Sequence, residues 1–107
     1  MTQTDKTLLH AKLNLETAPI TWKELERFFA SGAVYFIAAN LDMVDVAVQI
    51  SQDNSAAVKT WLDAGELSAV SDAQALQWLE ANATLWSVVV KPWILVQEMA
   101  ANLAQPN

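Results

Sequence analysis

The chain has 107 residues, 53% of them hydrophobic and 17% charged, and carries a formal net charge of −6. That length supports one compact domain with a single modest core, and the apolar content excludes a disordered tail. With no cysteine, the chain cannot be a disulfide-stapled mini-protein, and it has no thiolate nucleophile, redox pair or Cys-ligated zinc.

In chain order, Leu8, Leu9, Ala11, Leu13 and Leu15 predict a first helix over about 5–15, stopped before Pro19. Thr21 followed by Glu24 has the form of a capping box, and Ile20 with Leu25 that of a hydrophobic staple. Trp22, Leu25, Phe28 and Phe29 then recur at helical spacing up to Gly32, which predicts a helix over 21–31. Residues 33–38 (AVYFIA) are short, aromatic and β-branched, and predict a strand buried on both faces. Over 41–50, Asp42, Asp45 and Gln49 draw one narrow polar stripe on an otherwise apolar helix, which must therefore be packed nearly all round. Asp42 is placed to cap it.

Asn54 or Ser55 opens a further helix with Val58, Trp61 and Leu62 on its inner face and Gly65 past its end. Residues 67–70 suit a short strand. Ser71 with Gln74 repeats the capping-box pattern and opens a helix burying Leu76, Leu79 and Trp78. Residues 85–90 (LWSVVV) predict a second buried strand. The C-terminal stretch is open to two readings. Pro92 suits the first position of a helix running through Leu103, which the composition of the tail favours, whereas 93–96 (WILV) suits an edge strand. These elements give a single α+β, or small α/β, domain over 1–107, with several helices packed on a sheet of two to four strands and with 1–4 and 104–107 frayed.

The charge is uneven. Acids and bases cancel in residues 1–27 and again in 91–107, whereas 28–90 holds seven acids against Lys59 alone. Such a region repels phosphate backbones and disfavours nucleic-acid binding. A solvated surface is the plain explanation, and an acidic face for a basic partner is the sharper one. The longest apolar run, 33–39, falls far short of the roughly 20 residues of a membrane span. Residues 1–15 lack the pattern of an export signal, so a soluble cytoplasmic protein is expected.

Three patches, TWKEL (21–25), LDMVDVA (41–47) and WSVVVKPWILVQE (86–98), together with Trp61 and Trp78, carry a resemblance. With them the chain resembles a small bacterial family, the domain-of-unknown-function family 2288, over about residues 13–98. The resemblance implies a bacterial intracellular protein standing alone as one domain. It implies no activity and supplies no catalytic residue or cofactor.

Chemistry has few places to reside. Asp42 and Asp45 lie one turn apart, where two carboxylates can act as an acid/base pair or, with Asp53, offer oxygens to a divalent cation. Capping and a solvated stripe account for the same residues without chemistry. His10 has no identifiable nucleophile or orienting acid, the serines lack a nucleophile elbow, and two glycines make no phosphate loop. Five tryptophans are many for this length, and most belong in the core. Trp86 and Trp93 flank Lys91-Pro92, where the chain must turn or lose its ladder bonding, so one of them is expected to be partly exposed and to anchor a partner. A cation–π pair of Lys91 with Trp93 is a local structural alternative.

The favoured reading is a non-catalytic protein-interaction or regulatory module, acting through Trp86, Lys91, Pro92 and Trp93 on itself or on another protein. The alternative is a small-molecule or divalent-metal site, or a small enzyme, using Asp42, Asp45 and Glu24 beside an aromatic pocket.

Overall fold

The computed structural model describes residues 2–99, with side chains from Thr7 onward. The chain runs α1 (Thr2–Glu16), β1 (Ala18–Thr21), α2 (Trp22–Ala30), β2 (Val34–Ile37) and α3 (Met43–Ser51). It continues through α4 (Ser55–Ala64), β3 (Leu67–Ala69), α5 (Asp72–Glu80), β4 (Thr84–Val90) and β5 (Trp93–Glu98). Among the described residues the strands form one five-stranded sheet in the order β1-β4-β5-β2-β3. β2 and β5 run parallel; the other neighbours are antiparallel.

The α+β class holds, and the expected two to four strands become five. The additional strand is β1, hidden in the sequence because Pro19 reads as a helix stop. Proline is tolerated there because β1 is an edge strand paired on one side with β4. The C-terminal stretch resolves as strand rather than helix. Lys91-Pro92, joined by a cis peptide bond, forms the turn between β4 and β5, and so leaves the ladder intact. β5 is not at an edge either: it lies between β4 and β2, at the sheet centre. The tail helix through Leu103 and the fraying of 104–107 lie outside the described residues.

Strand register sorts the side chains into two faces. Leu85, Ser87, Ile94, Val96, Val34 and Phe36 share one face. It packs against Trp22 and Leu25 of α2 and Ala75 and Trp78 of α5. Val88, Val90, Leu95, Tyr35, Ile37 and Leu67 share the other, against Leu13 of α1, nearly all of α3, and Val58 and Trp61 of α4. The molecule is thus a mixed sheet between two helical layers. As the sequence predicts, β2 is covered on both faces and α3 is buried except along its polar stripe. Leu62, Leu76 and Leu79, expected in the core, are exposed instead. α5 meets the sheet through Ala75 and Trp78, which turns Leu76 and Leu79 outward, and Leu62 lies beyond Val58 at the open margin of α4.

Local signals set the helix ends. Ser71 and Gln74 complete a reciprocal capping box. At α2 one half is made: the Thr21 hydroxyl accepts from the Glu24 N–H at 3.4 Å. α2 to α5 all stop in the same way, with a residue of positive φ at Gly32 (80°), Asp53 (63°), Gly65 (76°) or Asn82 (50°). In each, the N–H of that residue and the N–H of the one after it donate back to last-turn carbonyls, as Gly32 does to Phe29 and Ala33 to Phe28.

The end of β5 is held by side chains. Gln97 Nε2 donates to the carbonyls of Ala38 (2.9 Å) and Leu41 (2.8 Å), tying down the loop before α3. The buried Trp78 indole N–H donates to Glu98 Oε2 at 3.0 Å. Replacing Glu98 by Leu strands that N–H, and should lower unfolding free energy by about 1–3 kcal/mol. Glu98→Gln keeps an acceptor and should recover most of the loss, as read from urea denaturation midpoints.

Candidate functional site

A cleft of about 270 Å³ opens between the sheet and the α3–α4 junction. Its base is Leu67 and Leu95, both buried; Ile50 and Val58 form the helical wall. Tyr35 and Trp93 supply an aromatic wall, packed edge to face with centroids 5.2 Å apart at 80°. The exposed rim consists of Asp53, Asn54, Ser55, Leu62 and Trp93. Asn54 is occupied as the cap of α4, accepting from the Ala57 N–H at 3.2 Å while donating to Gln49. Asp53 makes no ion pair among the described residues and occupies the left-handed turn that ends α3.

A second, broader groove runs between α1 and α4 across α3, with His10, Asp45, Gln49 and Trp61 among its lining. Here His10 Nε2 approaches Asp45 Oδ1 to 3.5 Å, with both side chains about half exposed or more (48% and 64%). His10 is thus a surface histidine with a structural partner.

The expected site residues are therefore distributed over separate places. Trp86 and Trp93 are 38% and 39% exposed and share a sheet face, but Val88 and Leu95 lie buried between them. They are four strand positions apart, about 13 Å, and make two surfaces rather than one. Lys91 and Pro92 are exposed in the turn. Among the described residues the cation–π contact is Arg27 over Phe28 at 4.9 Å, and Trp93 packs on Tyr35. Trp22 and Trp78 are core, and Trp61 is half-buried.

Asp42 is the N-cap of α3, accepting from Val44 N–H (2.9 Å) and Asp45 N–H (3.2 Å) through one oxygen. The carboxylate beside the aromatic cleft is Asp53, whereas Asp45 faces the other groove. Among the described residues, no three His, Asp or Glu side chains lie close enough to hold a metal ion. No described helix is long and apolar enough to cross a membrane.

A family model described as "Protein of unknown function (DUF2288)" matches residues 8–98. The chain belongs to this family. It is similar to one solved structure, the NMR solution structure of PA1075 from Pseudomonas aeruginosa, at 47% identity and a TM-score of 0.77. That likeness covers 87% of this chain and 86% of the other. No curated protein matches the chain.

In this DUF2288 chain the cleft was only half legible. Trp93 is marked by its place beside a turn. Tyr35 and Asp53 join it through long-range packing, which no local spacing encodes. The two aspartates test the structural roles assigned here. Asp42→Ala should cost about 1 kcal/mol through loss of the cap, and Asp42→Asn nearly nothing, by thermal or urea unfolding. Asp53→Gly should stabilise the fold by about 1 kcal/mol, because glycine adopts positive φ without a Cβ penalty.

Proposed function

We propose that this protein is a non-catalytic protein-interaction or regulatory module of the bacterial cytoplasm, engaging its partner through the Trp93 cleft. The observation that supports it is a half-exposed tryptophan on the central strand, beside an apolar cleft with an aromatic wall. Interface anchors favour such groups, because a fixed indole contributes large contact area at little ordering cost. At 270 Å³ the cleft is on the scale of a single inserted side chain. The carboxylates that acid/base chemistry would need are engaged elsewhere: Asp42 caps a helix and Asp45 faces His10. The Pseudomonas aeruginosa relative supports the bacterial placement, and the net charge of −6 weighs against a nucleic-acid partner.

Native mass spectrometry of the gently purified full chain tests this reading. The unaltered protein should appear as a multimer or in a protein complex, and Trp93→Ala as the bare subunit. Trp86→Ala, on the separate surface, should behave as the unaltered protein. Identical assemblies for the unaltered and Trp93→Ala chains would overturn the reading. So would a monomer carrying a discrete small mass, which would favour a small-molecule site.

A further inference from the structure

We propose that the Trp93 cleft takes a basic side chain, lysine or arginine, presented by a partner protein, with the aliphatic stem on Trp93 and Tyr35 and the charge at Asp53. The inference rests on the cleft being the binding site and adds the chemistry of its occupant.

Three observations carry it. The rim holds one carboxylate, Asp53, with no ion pair among the described residues. The chain around it has the same sign, residues 28–90 holding seven acids against Lys59 alone, while Asp45 itself is turned to His10 in the other groove. The one base of this region, Lys59, is held by Asp63 at 3.0 Å. Lys91 is exposed in the turn before Trp93 but does not line the cleft. A basic partner is therefore drawn toward this face, and an acidic one repelled.

The α4 N-terminus does not reverse that preference. The Ser55 N–H is bonded to the Asp53 carbonyl at 2.9 Å and the Ala57 N–H to the Asn54 side chain, so two of the amides an anion would use are engaged. The walls complete the match. Lysine and arginine bury an apolar stem while keeping the charged head in water, and aromatic faces attract the cation. The base of Leu67 and Leu95 suits the stem; the exposed carboxylate suits the head.

The experiment selects phage-displayed random peptides on the intact protein and measures the affinity of the recovered peptides by fluorescence anisotropy. Peptides bearing Lys or Arg beside apolar residues are expected. Affinity should fall about tenfold when that residue is replaced by norleucine or citrulline, and similarly for Asp53→Asn, as loss of a charge-assisted contact predicts. Asn tolerates positive φ, so Asp53→Asn keeps the fold, which circular dichroism verifies. Binding should be lost in Trp93→Ala. Recovered peptides without basic residues, or affinities unchanged by Asp53→Asn yet lost in Trp93→Ala, would overturn the basic occupant while leaving the cleft as the binding site. Binding unaffected by Trp93→Ala, or no recovered peptide, would overturn both.

Discussion

The burial of β5 on both faces is the constraint on which the rest of the structure depends. Ile94, Leu95 and Val96 are consecutive and all buried, so neighbouring side chains point to opposite faces and each face must be covered. That requirement calls for two helical layers, which the five helices of the described residues supply. β5 also joins the halves of the sheet, being antiparallel to β4 and parallel to β2. Its last two side chains bind outward in opposite directions, Gln97 to the loop before α3 and Glu98 to α5. One strand thus sets the positions of both layers and of the aromatic wall at its first residue.

Much of this was legible in the sequence wherever the controlling physics is local. Capping at Asp42 and Ser71, the glycine stops and the all-round burial of α3 depend on residues within a few positions of one another, and the structure shows them. β1 and β5 were obscured because their identity depends on pairing. Pro19 reads as a helix stop and Pro92 as a helix start, and only pairing, of β1 with β4 and of β5 with β4 and β2, makes the segments strands. The inward placement assigned to Leu62, Leu76 and Leu79 failed for a related reason. Helical spacing defines an apolar stripe, and it does not say how much of that stripe the sheet covers.

The candidate site follows the same division. Exposure near the Lys91-Pro92 turn was foreseeable, since a tight turn limits what can cover the strands beside it. The separation of Trp86 from Trp93 by the buried Val88 and Leu95 follows from cross-strand register, which the turn fixes and the sequence alone leaves open. The acidic character of residues 28–90 was plain from the start. The fold gives it a place, since α3 and α4 lie side by side over the same sheet face as Trp93.

The two edges of the sheet bear on how such a molecule meets others. On one side is β1, which carries Pro19 and so lacks an N–H on its free edge; on the other is β3, only three residues long (Leu67–Ala69). Neither offers the long, regular row of donors and acceptors that an incoming strand needs. The backbone is in this sense closed to extension, and recognition is left to side chains. Because backbone ladders are nearly indifferent to sequence, edges built this way resist indiscriminate pairing with the strands of other molecules.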